Sequence, residues 1–249
     1  MTPDNIQFRT GVIKPVECVK EAWALIKDQY WLFLGIIFVG VFIGGAIPIV
    51  LLGPMMVGIY ICLFRRMRGE PVEFGMLFKG FDYFAQSLIA ALLQMIPMVI
   101  VMVPMYIIMF VFMITMMPQS GRADPDDAST FAFAFIASYL VFLLVIMTVA
   151  IVVTIFFLFA FPLIADRNLS GVDAVKLSIK AARANFGGIL GLILVNVGLG
   201  ILGVLCCYVG AFLVAPISLT SYAVAYRRVF PEVSQNFASP PPPPANWAG

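Results

Sequence analysis

Four stretches of this chain carry no charged side chain: residues 29–64, 83–121, 128–165 and 184–226. Each is longer than the roughly 20 residues an α-helix needs to cross a bilayer core. In hydrocarbon every backbone N–H and C=O must find its partner within the protein, so runs of this kind resolve into helices. Strands of an outer-membrane barrel would alternate polar and apolar residues instead. Of the 249 residues, 62% are hydrophobic and 11% charged, against roughly 25% charged in a soluble domain. The expected fold class is all-α membrane.

How many spans the four runs contain is decided by charge. As one helix, run 29–64 would be about 54 Å long, against a hydrocarbon core of about 30 Å. It can instead turn near Gly44, Gly45 and Pro48, and the last run can turn likewise. Six spans then result, at about 30–46, 48–65, 84–117, 131–164, 186–206 and 208–227. In that arrangement Arg9, Lys14, Lys20 and Lys27 share a side with Arg65, Arg66, Arg68 and Lys79. The same side receives Arg167, Lys176, Lys180, Arg183, Arg227 and Arg228. Of the 15 basic residues, 14 lie there and Arg122 alone lies opposite. The positive-inside rule makes the rich side, with both termini, cytoplasmic. The loop Pro118–Thr130, with Asp124, Asp126 and Asp127, becomes external. Spans three and four exceed the bilayer thickness, so they must tilt, project, or kink at Pro97, Pro104 or Pro162.

Three amphipathic segments precede the spans. In residues 12–30, Val16, Val19, Trp23, Ile26 and Tyr30 recur at helical spacing, opposite Glu17, Lys20, Glu21, Lys27 and Asp28. Pro71-Val72-Glu73 opens a second segment. The third, Ser170–Phe186, sets Asp173, Lys176, Lys180 and Arg183 on one stripe and Val175, Ile179, Ala182 and Phe186 on another. Basic amphipathic helices between apolar runs lie in the membrane interface. The expectation is a six-transmembrane-helix bundle with three such helices on the cytoplasmic side. Pro15-Val16-Glu17, Pro71-Val72-Glu73 and Gly171-Val172-Asp173 echo one another, as do Gly53-Pro54…Tyr60…Arg65-Arg66 and Ala215-Pro216…Tyr222…Arg227-Arg228. They divide a single membrane domain, 12–231, into pseudo-repeats 12–69, 70–168 and 169–231. A flexible N-terminus, 1–11, leads in, and a disordered proline-rich tail, 232–249, follows.

The chain has no histidine, which excludes His-based acid–base catalysis, His-ligated zinc or haem, and Ser-His-Asp triads. Cys18, Cys62, Cys206 and Cys207 read as buried thiols. A net charge of +2 gives no reason to expect a nucleic-acid partner. No enzymatic activity and no cofactor are expected. Convergence of Asp82, Asp166 and Asp173 in one cleft is the arrangement that would reopen catalysis. Arg65, Arg66, Arg68, Lys176, Lys180, Arg183, Arg227 and Arg228 are the candidates for lipid head groups, since each basic residue near an anionic leaflet contributes about 1 kcal/mol. Membrane lipids are the expected partners, with a second copy or another membrane protein as further candidates. The favoured function is organisation of lipids or partner proteins at the cytoplasmic leaflet.

The alternative is an uncoupled facilitator or channel. Met95, Met98, Met102, Met105, Met109, Met113 and Met116 run along one face of span three. Soft thioethers suit Cu(I), although methionine is also a common packing residue. Coupled transport would call for an ionisable residue inside a span, and the charge-free runs hold none.

The segment Phe161–Ser178, with Cys207-Tyr-Val-Gly210, Ala215-Pro-Ile-Ser218 and Tyr226-Arg-Arg228, resembles a bacterial family of integral membrane proteins. That family is similar to the membrane domain attached to some glycerophosphoryl diester phosphodiesterases. The resemblance covers about 30–230 and implies a helical bundle of the bacterial plasma membrane. It brings no catalytic residues, because the soluble phosphodiesterase domain has no counterpart here.

Overall fold

The computed structural model describes residues 6–116, 125–205 and 209–232. Nine α-helices lie among them: α1 (Pro15–Ile26), α2 (Tyr30–Ala46), α3 (Pro48–Met67), α4 (Phe84–Met116), α5 (Pro125–Phe157), α6 (Ala160–Arg167), α7 (Gly171–Ala184), α8 (Phe186–Leu205) and α9 (Val209–Val229). A 3₁₀ turn, Lys27–Gln29, joins α1 to α2, and a longer 3₁₀ segment, Phe74–Tyr83, precedes α4. The described residues contain no strand. Six helices or helix runs are long and apolar enough to cross a membrane. Arg122, Asp124, Cys206, Cys207 and the proline run lie outside the described residues, as do the side chains of Met116, Asp126 and Asp127.

Proline chemistry places the breaks. Ile47, extended at φ −133° and ψ 81°, separates α2 from α3, because Pro48 disfavours the helical conformation in the residue before it. Helix α4 runs through Pro97 and Pro104 unbroken for 33 residues, about 50 Å. The interruption in the second hairpin falls instead at Leu158–Phe159. Pro162 has no N–H to give Leu158, four residues back. Ser178 of α7 partners other backbone groups at this break: its Oγ donates to the Phe156 carbonyl at 2.6 Å and accepts from the Phe159 N–H at 3.2 Å. Backbone groups freed by the interruption are thereby partnered from a neighbouring helix.

Each amphipathic segment packs chiefly against the hairpin that precedes it. The 3₁₀ segment lies on α3 and α2, and α7 lies on α4, α5 and α6. The first segment has no preceding hairpin, and α1 packs on α9 and α8. The relationship closes into a ring.

The second segment departs from the sequence reading. Phe74–Tyr83 is 3₁₀ rather than α, and it is wedged against α3. Two glycines and four aromatic residues within ten positions give it weak α propensity. Its path also requires Gly58 and Gly80, where a Cβ would overlap the Leu77 and Pro54 carbonyl oxygens respectively. On α1 the buried stripe is Cys18, Ala22 and Ile26, while Val16 is 56% and Trp23 47% exposed. Small side chains let α1 approach α8 closely, where Gly188 and Gly191 receive Ile13 and Pro15.

The core sits at the charged pole of the bundle. Phe33, Ile59, Leu63, Phe159, Tyr226 and Phe230 are fully buried. Towards the other pole the hairpins show apolar side chains outward, among them Phe42, Phe110, Leu144 and Leu202, as expected of surfaces facing lipid.

Candidate functional site

The arginine candidates Arg65, Arg66, Arg68, Arg227 and Arg228 gather at this pole, where the ends of α3, α6 and α9 meet. Asp166 of α6 is the node. Its Oδ2 accepts from Arg167 Nε at 2.9 Å and from the Tyr226 hydroxyl at 2.8 Å. Its Oδ1 lies 2.8 Å from Arg227 Nη2 as an ion pair, without the alignment of a hydrogen bond. Asp166 is 11% and Arg227 14% exposed, so the pair is largely desolvated. The Arg227 guanidinium also stacks over Phe64 at 4.3 Å, adding cation–π attraction. Arg167 reaches on to the Pro231 carbonyl at 2.7 Å.

The remaining arginines of the list are engaged as well. Arg68 Nε donates to Glu70 Oε1 at 2.6 Å and Arg65 Nε lies 3.5 Å from Glu70 Oε2. Arg66 Nε donates to the Leu25 carbonyl at the end of α1 at 2.9 Å, and its Nη2 reaches Asp28 at 3.4 Å. Arg228 joins α9 to α1 through Glu21 at 2.5 Å and Glu17 at 3.2 Å. These contacts act on the carboxylates in turn. The hydrogen bond from Arg68 holds the Glu70 carboxyl below its ordinary range. The hydrogen bond from Lys14, seconded by Arg228, does the same for Glu17. Both stay ionised at any pH near neutral.

Helix α7 is different. Its N-terminus is capped by Ser170, whose Oγ accepts from the Asp173 N–H at 3.2 Å and donates to Asp173 Oδ2 at 2.7 Å. Gly171, Ala174, Val175, Leu177, Ser178, Ala181 and Ala182 are buried against the bundle. The apolar face therefore meets protein, and the predicted stripe of Lys176, Lys180 and Arg183 is exposed on the opposite side. No carboxylate among the described residues pairs with these three; Arg183 only approaches the Phe156 ring, at 6.0 Å. The eight candidates thus divide into five that hold the fold and three that are free.

N-terminal residues join the same pole. Residues 6–11, expected as part of a flexible lead-in, are tied down. The Arg9 N–H donates to the Val229 carbonyl at 2.9 Å, and Asn185 clamps both Gly11 N–H and the Arg9 carbonyl, at 2.8 and 3.1 Å. Phe8 packs on Phe230, ring centroids 6.1 Å apart. Two of these contacts come from the buried Asn185 side chain, of which hydropathy gives no sign. Arg9, Glu21, Ala24, Leu25, Met67, Val224, Arg227, Arg228 and Glu232 line an open groove of about 740 Å³.

The other sequence candidates do not assemble. Met98 and Met102 meet Val101, Ile146 and Val149 in an apolar crevice with no space for a water molecule; Met105 and Met109 are half-buried and Met113 is exposed. Met98 and Met102 thus pack against α5 in an apolar crevice and line no polar cavity there. Among the described residues no cluster of three or more His, Cys, Asp or Glu side chains is placed to hold a metal. Asp173 is taken up by its cap and Asp166 by its arginines, while Asp82 lies exposed on the 3₁₀ segment. Cys18 and Cys62 are buried free thiols.

Fold and pole together define the class: an all-α, multi-pass membrane protein with a charged, ion-paired end. Comparison with family models, curated proteins and solved structures finds no match.

Proposed function

We propose that the chain is a non-catalytic integral protein of a bacterial inner membrane, both termini cytoplasmic, that organises anionic lipids and associated proteins at the cytoplasmic leaflet. The observation that carries this reading is the division among the basic residues. Arg65, Arg66, Arg68, Arg227 and Arg228 are neutralised by internal partners, whereas Lys176, Lys180 and Arg183 project from a helix whose other face is fixed in the bundle. Charge displayed on a rigid support loses little entropy on meeting head groups. The resemblance to phosphodiesterase-linked membrane domains supports a plasma-membrane setting.

The test is a triple variant, K176Q/K180Q/R183Q. With about 1 kcal/mol per basic residue, it should lose most of the phosphatidylglycerol that wild-type protein retains in native mass spectrometry. Its melting temperature should stay close to that of wild type, because exposed substitutions change stability by about 0.5 kcal/mol or less. Unchanged lipid retention would refute the role of α7. Orientation has its own test: a cysteine at Arg122 should react with impermeant maleimide only from the periplasmic side of spheroplasts. Labelling from the cytoplasm would overturn the six-span topology.

A further inference from the structure

The outer side of α1 leads into a lipid-facing crevice. Val16, Lys20, Trp23, Lys27 and Trp31 recur at steps of three and four, and all are exposed. The acidic residues of the same segment turn elsewhere: Glu17 and Glu21 meet Arg228 of α9, and Asp28 meets Arg66 of α3. Lys20 and Lys27 are left with no carboxylate partner among the described residues. Trp23, Tyr30 and Trp31 form a collar of rings, with centroids 5.7 and 5.6 Å apart, of the kind that settles at head-group depth. One turn further on, Leu34, Phe38, Val41 and Phe42 of α2 face Phe212 and Ala215 of α9 across an apolar crevice of about 120 Å³. The Tyr30 hydroxyl ties the two walls at the mouth by donating to the Leu213 carbonyl at 2.5 Å.

We infer that the crevice and the two lysines together bind one anionic phospholipid of the phosphatidylglycerol kind. An apolar void stays dry, and in a bilayer the group at hand to fill it is an acyl chain. From Leu34 to Phe42 the helix rises about 12 Å, close to the roughly 15 Å of hydrocarbon in one leaflet. A chain lying there would bring its glycerol end to Trp31. Lys27, one turn before Trp31, then stands where the phosphate emerges, and Lys20 stands two turns further out. Both side chains are exposed, so a head group can reach them. An anionic head group meets two cations that no carboxylate has claimed, whereas a zwitterionic one brings its own cation and gains less. The Tyr30 tie holds the walls in place, so little protein order has to be bought on binding. The site rests on the proposed orientation only for naming its leaflet cytoplasmic, and α7 takes no part in it.

The experiment is photolabelling of the purified full chain, in neutral detergent, with phosphatidylglycerol that carries a diazirine in one acyl chain. Peptide mass spectrometry maps the labels, which should concentrate on residues 34–42 and 212–215. Unlabelled phosphatidylglycerol should compete at least tenfold better than phosphatidylcholine. K27Q should weaken that competition about fivefold, the worth of one basic residue at an anionic surface. V41W puts bulk into the crevice and should abolish labelling there. V111W is the control, since Val111 is exposed on α4 to the same degree as Val41 on α2, and it should leave the labels in place. These variants alter exposed side chains, so folding is preserved. K176Q/K180Q/R183Q should keep crevice labelling within twofold, whatever it does to lipid retention at α7; loss of the crevice labels in that variant would overturn a separate site. Labels spread evenly over the apolar surface, indifference to V41W, or equal competition by phosphatidylcholine overturns the proposal. So does a dimer that V41W dissociates while the crevice takes no label, because a second copy would then be the occupant.

Discussion

Gly58→Ala is expected to cost about 3 kcal/mol or more and to leave little folded protein in detergent. Overpacking of a core ordinarily costs about 1–3 kcal/mol, because side chains shift to make room. Here the obstacle is backbone: the new methyl group would overlap the Leu77 carbonyl, and Gly80 lies against Pro54 and Gly58 in the same seam. Relief requires the 3₁₀ segment to lift from α3, which would expose Leu77 and the facing surface of Ile59. Gly45→Ala is the control. It too is a helical glycine, but a Cβ there meets nothing within 4 Å, so the change should be neutral or stabilising by about 0.5–1 kcal/mol. Thermal unfolding followed by size-exclusion chromatography compares the two. Equal melting temperatures for G58A and wild type would refute the seam as described.

Asp166→Ala should be nearly as damaging, for an electrostatic reason. Deleting one partner of a buried pair typically costs about 3–5 kcal/mol, because the other charge remains desolvated. Arg227 would keep Glu232 at 3.3 Å, but that carboxylate is half-exposed and well screened. Arg167 and the Tyr226 hydroxyl would lose their acceptor in the same step. Two further variants separate charge from packing. Asp166→Asn retains an acceptor oxygen for Tyr226 and should lose less. D166A/R227M removes both charges and should regain part of the stability, since apolar replacement of a buried pair is often tolerated. If D166A melts no lower than E232A, Asp166 is not the node.

The spans were legible because their cause is local. A run without charge declares a helix in lipid, and a proline marks where the run turns; both signals lie within a few residues of their effect. Pro162 was one of three prolines expected to interrupt the long spans, and it alone does so among the described residues. What distinguishes it is Ser178, whose hydroxyl makes the interruption tolerable from sixteen residues further on. Pairing among charges was not legible. Arg228 finds Glu17 and Glu21 at sequence separations of 211 and 207, and Asp166 finds Tyr226 at 60. No periodicity foretells such meetings. The basic residues looked equivalent in the sequence, and only the ring of hairpins sorts the engaged from the free. Which face of α1 meets the bundle was not legible for a related reason. Val16 and Trp23 are the more hydrophobic residues, but Cys18 and Ala22 fit against a neighbour that arrives almost two hundred positions later.

That closure has a bearing on how the chain is made. Each amphipathic segment rests on a hairpin already synthesised, so the 3₁₀ segment and α7 emerge from the ribosome to find their seats waiting. Helix α1 is the exception, because its seat, α8 and α9, is translated only after the helices that lie between them. Until those helices emerge its Cys18–Ala22–Ile26 stripe lacks its partners. An amphipathic helix in that position would rest on the membrane surface as a provisional foothold. When α9 is released, α1 exchanges lipid for protein, and Arg228 fastens the exchange. Closure of the bundle thus waits for α9 to reach the earliest of these helices.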